Sequence, residues 1–277
     1  MGVNGTTELA NLIPVITSPK IYAELRNSVM LANFFEREYE GEISSFGQQV
    51  KVNTIVAPSG EILSSDKAEF ASADLQVDQF SITCDKIAVA SFDITDLAQI
   101  QSLEFEAQVV EALSYSIRLK MENQILAAML PSTSSPDHDI APAAASDLAA
   151  ADLGSLRTLL STAKVPVNGR GLFLAPSYYG DLLSKTQLTS LDFVPGQSGA
   201  SGVLSNFMGF NIMEHNLLAA DVGYACHPSA LQVVMQRGVT VKVSDLHPLG
   251  RLGYKVSAHM IFGVKLADNK RLAKISA

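Results

Sequence analysis

Two cysteines, Cys84 and Cys226, are all that this 277-residue chain carries. That is too few for a disulfide framework, and their spacing fits no metal-ligand pattern. Set among apolar and small neighbours, they read as buried free thiols. Charge is also scarce: 17% of residues are Asp, Glu, Lys or Arg against 47% hydrophobic ones. A folded chain of this kind has little charged surface and much that suits contact with partners. The formal net charge of −8 argues against a general binder of nucleic acid or anionic membrane, because phosphate binding needs a basic footprint. No run reaches about 18 uninterrupted apolar residues, and MGVNGTTELANLIP lacks a basic segment followed by a long apolar one. A soluble protein made in a reducing cytosol is the expectation.

Enzyme signatures are missing as well. There is no GxSxG, GxxxxGK[ST] or HExxH, and the Gly-rich stretch PGQSGASG lacks the phosphate-binding Lys and the strand-loop-helix setting of a phosphate cradle. His227 beside Cys226 makes no nucleophile pair, since neighbours on a strand point to opposite faces. With His215 they would supply only part of a zinc site. His138, between Asp137 and Asp139 in a polar linker, reads as solvated, His247 before Pro248 as a turn residue, and His259 as part of a strand. Glu38, Glu40 and Glu42 are spaced by two, as on the outer face of a strand. No base, nucleophile and charge stabiliser converge. The sequence therefore assigns no catalytic, cofactor-binding or metal residue and no cofactor.

What is present is pattern. Ser102 to Leu130 contains no Pro or Gly and is followed by Pro131. Val109, Leu113, Ile117, Met121 and Ile125 recur at helical spacing, broadened by Val110, Leu126 and Met129, with Glu104, Gln108, Glu111, Arg118 and Glu122 mainly on the other side. At about 1.5 Å per residue such a helix is about 43 Å long, more than one small core needs. Before it, Met1 to Ser18 reads as an extended arm and Ser18 to about Phe35 as a helix capped by Ser18 before Pro19. QQVKVNTIV and LQVDQFSITCDKIAVASFDIT alternate as two long strands around a polar tip. A hairpin that long is marginal alone and needs a surface to lie on, such as a neighbouring subunit.

After the helix, PSTSSPDHDIAPAAAS reads as a linker between two lobes. DLAAADLGSLRTLLSTA and PSYYGDLLSK read as helices, Leu172 to Leu174 as a short buried strand, and Leu188 to Ser205 as a loop. NFMGFNIMEHN, GYACHPSALQVVM, VTVKVSD and RLGYKVSAHMIFGVKL follow as strands, ending in a short basic tail. The first third is acidic, whereas Lys242, Arg251, Lys255, Lys265, Lys270, Arg271 and Lys274 face only Asp245 and Asp268 in the last segment. Between copies, such asymmetry steers an acidic region of one onto a basic region of the next. The alternative is a solvated basic tail.

This order of elements resembles the major capsid protein of tailed bacteriophages, the Hong Kong 97 fold. KIYAELRNSVMLANFFEREYEGEISSFGQQVKVNTI is similar to the front of one branch of that family, and FDITDLAQIQSLEFEAQVVEALSYSIRLKMENQIL to its approach to the spine helix. The resemblance implies an α+β subunit with an N-terminal arm (1–18), a peripheral-domain helix (19–39) and an extended β-hairpin loop (40–92). A peripheral domain with the spine helix (93–131), an axial domain (132–227) and returning strands of both domains (228–277) would complete it. It implies a structural, non-enzymatic protein that self-assembles, as pentamers and hexamers, into an icosahedral shell enclosing double-stranded DNA without reading its sequence. Expected partners are other copies of the chain, a portal protein, a cement protein in some shells, and no membrane. With no long charged helical segment ahead of the arm, either a separate scaffolding protein directs assembly or an N-terminal segment was removed; the start at Met1 favours the first. The expected location is the virion, after assembly in the host bacterial cytoplasm. Two other readings stay open on the residues alone: an encapsulin-type compartment of the same fold, and a soluble α+β enzyme with an unrecognised site.

Overall fold

The computed structural model describes residues 26, 29–40, 49–60, 62, 72, 74–96, 106–134, 136–144, 147–185, 204 and 206–277. One helical turn, Leu31–Phe34 (α1), precedes the strands Gln49–Val56 (β1), Gln76–Thr83 (β2) and Lys86–Ile94 (β3). The long helix Glu106–Ala128 (α2) follows, realising the apolar stripe read from the sequence. Next come Asp139–Ile140 (β4), Ala150–Thr162 (α3), Gly171–Leu174 (β5), Pro176–Ser184 (α4), Asn206–Phe207 (β6), Phe210–Glu214 (β7) and Val222–Cys226 (β8). Leu231–Asp245 (β9), Tyr254–Leu266 (β10) and Leu272–Ser276 (β11) complete the chain. The expected arm over 1–18, residues 102–105 ahead of α2 and most of the 188–205 loop lie outside the described residues, and the expected first helix falls within them only at its end.

Three sheets organise these elements. β1 and β2 form an antiparallel ribbon; β3, β10 and β9 form a second sheet in that order; β4-β11-β8-β5-β7-β6 form the third. Leu113, Ile117, Met121 and Ile125 of α2 are buried against Val256, Ala258, Met260 and Phe262 of β10, because period 3.6 on the helix and period 2 on the strand present matching apolar rows. The same core takes in Phe173, Cys226 and Leu272 from the third sheet, so α2 is shared by both layers. A second core lies under α3 and α4, where Leu153, Leu156, Leu160, Tyr178 and Leu182 cover Leu172, Ile212, Ala225 and Ile275.

Several expectations need correction. The strand expected to run unbroken from Leu75 to Thr95 divides at Cys84–Asp85, and Lys86–Phe92, expected within the projecting hairpin, pairs with β10 instead. Gly263 on β10 is the reason the chain can change sheets there: a Cβ at this position would overlap the Thr83 carbonyl oxygen and lie 3.1 Å from Cys84 Cα. VTVKVSD is not a separate strand, since β9 runs for 15 residues past Gly238, where its pairing with β10 only shifts register. The basic tail is strand β11, an inner strand of the third sheet between the short edge strand β4 and β8, with Lys274 Nζ 3.2 Å from Asp139 Oδ2. Glu38 and Glu40 lie in a turn, where Glu40 pairs with Arg37 at 2.7 Å; Glu42 is outside the described residues.

Candidate assembly surfaces

Glu122, expected on the solvent side of the long helix, is fully buried. Its Oε1 accepts hydrogen bonds from the backbone N–H groups of Met30 (2.7 Å) and Leu31 (2.8 Å), and Oε2 from Ala32 (3.4 Å). His215 Nε2 lies 3.0 Å from the same Oε1, and its Nδ1 accepts from Leu217 N at 3.4 Å, so Nε2 carries the proton and donates to the carboxylate. One side chain thus ties together the strand of chain entering α1, the long helix and the end of β7. The N–H groups it takes are those a helix start leaves unpaired. A buried carboxylate without such donors would be costly; here three converge on Oε1 and one, longer, reaches Oε2.

Sequence reasoning missed this group because its partners are 92 and 93 residues away in the chain. No local signal separates Glu122 from Glu111 or Arg118 on the same flank. Arg170 was likewise unmarked. It is buried and donates to the carbonyls of Val165 (2.7 Å) and Pro166 (2.8 Å), closing the loop after α3, while burial and then Arg157 hold its pKa below the usual value.

The residues weighed for chemistry are dispersed. His138 is buried, not solvated: its Nδ1 sits 2.9 Å from the Leu272 carbonyl, which locks the β4 strand to β11. His227 caps the 3-10 turn Pro228–Ala230, with Nδ1 2.7 Å from Ser229 Oγ. Burial lowers the His227 pKa, opposed by Glu36. Cys226 is fully buried and its thiol pKa is pushed far up; burial, then Asp85, raises that of Cys84. His247 opens a 3-10 turn and His259 stands in β10. Among the described residues no three metal-ligating side chains gather, and no helix is long and apolar enough to cross a membrane.

The β1-β2 ribbon carries a different kind of site. Near its base, Val50, Val52 and Phe80 form one apolar row that packs with Ile82 and Cys84 against Tyr39 and Val234. Further out the row changes face. Thr54 opposes Asp78, whereas the cross-strand pair Ile55 and Val77, one residue on, points the opposite way. Ile55 is 67% exposed and Val77 48% exposed, with Leu75 beyond them also exposed. The ribbon is therefore seated on its own subunit by one face and offers apolar side chains on the other at its far end. Beneath it lies a cleft of about 720 Å³ lined by Glu36, Glu38, Asp78 and Asp268, with Arg271 as the cationic lining residue.

A ribbon that turns apolar side chains outward agrees with what the chain is similar to. The family model described as "Phage capsid protein" matches residues 39–277. The chain belongs to that phage capsid protein family. Its fold is also that of solved capsid structures. A protein of Mycobacterium phage Che8 is 23% identical, with a TM-score of 0.79 over 96% of this chain and 97% of that one. In the capsid of cyanophage P-SCSP1u the corresponding chain is 16% identical, with a TM-score of 0.78 over 97% of this chain and 94% of that one. The cyanophage Pam1 capsid chain is 13% identical at a TM-score of 0.76, covering 96% of each. No curated protein matches. The α+β capsid fold expected from the order of elements is thus the observed one, and the chain is a structural capsid protein of a phage.

Proposed function

We propose that this capsid protein assembles with copies of itself, as pentamers and hexamers, into an icosahedral shell that encloses the double-stranded DNA of a tailed phage. The carrying observation is the change of face along the β1-β2 ribbon: Ile55 and Val77 stand exposed on the face opposite the row that packs with Tyr39 and Val234, an apolar surface that suits cover by a neighbouring copy. Fully burying such a side chain is worth about 1.5–3 kcal/mol, repeated at each copy of a symmetric contact. On this reading the ribbon is the extended loop, ending at Thr83, and α2 is the spine of a peripheral domain formed with β3, β10 and β9. The third sheet with α3 and α4 is the axial domain, rejoined by β11. Retained DNA needs no sequence-reading groove, and the net charge of −8 suits a container that does not grip its contents. A scaffolding protein, a portal protein and, in some shells, a cement protein would act with it in the bacterial cytoplasm before the shell becomes part of the virion.

Replacing Ile55 with Lys and Val77 with Glu, an opposite-charge cross-strand pair, tests the ribbon's role. Both sites are exposed in the subunit, so the thermal midpoint of the unassembled protein should stay within about 2 °C of the parent, while the yield of shells seen by electron microscopy should collapse. Undiminished assembly by a folded double variant would contradict the assignment.

A further inference from the structure

The cleft between the β1-β2 ribbon and the body of the subunit has carboxylates on both walls. Asp78 shares the ribbon face of Val52 and Phe80, because the cross-strand pairs Thr54–Asp78 and Val52–Phe80 lie two positions apart, while Glu36, Glu38 and Asp268 line the opposite wall. Arg271 is the cation among these lining residues, and it is engaged: Nε donates to Asp268 Oδ2 at 3.2 Å and Nη1 to Ser229 Oγ at 2.6 Å. The cations nearby in the chain do not restore the balance. Arg37 pairs with Glu40 at 2.7 Å, and Lys270 lines a separate pocket with Ser132 and His138. Lys265, opposite Gln232 in the β9-β10 ladder, is exposed, and counting it beside Arg271 still leaves carboxylates in excess.

A second observation calls for a donor in the same place. Gln232, at the start of β9, lines the cleft and is 4% exposed. Its Nε2 donates to Glu36 Oε2 at 2.7 Å, and its Oε1 is buried with no hydrogen-bond partner. What a buried acceptor lacks is a donor, and beside carboxylates the donor that fits is a cationic N–H group. The layout of the cleft selects the kind of cation. Among the described residues no three acidic, His or Cys side chains gather to hold a metal ion. Charge is instead spread along the walls of a space of about 720 Å³, large enough for a small molecule, with Tyr39, Val52 and Phe80 between the carboxylates. Charges at intervals with apolar surface between them match a linear amine, whose ammonium groups are separated by methylenes. We propose that this cleft binds a linear di- or polyamine, its ammonium groups bridging Asp78 on the ribbon to Glu36, Glu38 and Asp268 on the body, its methylenes against Val52 and Phe80, and one N–H directed to Gln232. Such a ligand would draw together two walls whose charges otherwise repel.

Isothermal titration of the full, unassembled chain with spermidine tests it, at about 0.15 M salt so that diffuse attraction is screened. The expected result is saturable binding of one spermidine per chain. Glu38→Gln with Asp78→Asn removes one charge from each wall at nearly constant size, and should weaken binding at least about tenfold. Both side chains are exposed, so the thermal midpoint of that double variant without ligand should stay within about 2 °C of the parent. Magnesium chloride added at equal charge should leave most of the spermidine bound. Absence of saturable binding overturns the proposal, as does equal affinity in the folded double variant, or full displacement by magnesium, which would mark diffuse screening. A lysine of a neighbouring copy offers the same alkylammonium chemistry, and assembled shells separate the two sources. Spermidine still bound at one per chain in shells supports a free amine, and its exclusion on assembly overturns that assignment in favour of the neighbour's lysine. The titration itself is made on the unassembled chain, so its outcome does not depend on whether shells form.

Discussion

At the scale of single residues, Glu122 is the side chain on which most of the structure converges. Glu122→Ala would strand three backbone N–H groups and His215 without an acceptor in a dry core, and should cost about 3–5 kcal/mol in urea unfolding. A loss under about 1 kcal/mol would show that these groups find water or other partners. His227 gives a pH-dependent counterpart. Burial holds its pKa below 6.5, so the unfolded chain takes up a proton that the folded chain resists, and stability falls as pH drops below 6.5 toward the folded pKa. His227→Asn should therefore shrink the difference in thermal midpoint between pH 7.5 and pH 5, and an unaltered difference would show that His227 is not among the responsible groups. Residue roles of this kind were the least legible part of the sequence. His138 reads as solvated because Asp and Ser surround it in the chain, yet in space it belongs to β11, more than a hundred positions away. Glu122 looks like any other charge on a helix flank until α1 and β7 are placed against it.

At the scale of elements, periodicity carried much further. The stripe through Leu113, Ile117, Met121 and Ile125 is the buried face of α2, and these residues pack where the pattern says they should. Ile117 is fully buried at the centre of that face. Ile117→Asp would bury an unpaired charge, and the expected outcome is insoluble or unfolded subunit, or at best a loss above about 4 kcal/mol. Soluble protein with a normal thermal midpoint would mean the stripe does not face the core. Element boundaries were harder to see than elements. Alternation continues in phase through Ile82, Cys84, Ala88 and Ala90, so nothing in the pattern marks the passage from β2 to β3. The passage is set by Gly263, about 180 positions downstream, whose missing side chain leaves room for the crossing. The final strand β11 was hidden for the opposite reason: LAKIS is short and basic, and only burial between β4 and β8 gives it sheet character.

At the scale of the whole molecule, the subunit is a long helix shared by two layers, with a ribbon that leaves its own core and turns an apolar face outward. Such a surface is a liability for a solitary protein and a requirement for one that is always surrounded by its own copies. Low charge and an acid-to-base gradient along the chain point the same way, and the order of elements was enough to identify the capsid architecture. Which residues share a surface is a matter of three-dimensional placement: the acidic cleft takes Glu36, Asp78, Gln232 and Asp268 from four separate parts of the sequence. The central claim is that this chain builds a closed shell from copies of itself. Cryo-electron microscopy of the full chain, coexpressed with any scaffolding protein it requires, measures that directly. The account predicts closed icosahedral particles tens of nanometres across, with the Ile55 and Val77 face of each ribbon covered by a neighbouring subunit. A stable, monodisperse monomer under those conditions, or shells in which that face stays in solvent, would contradict it.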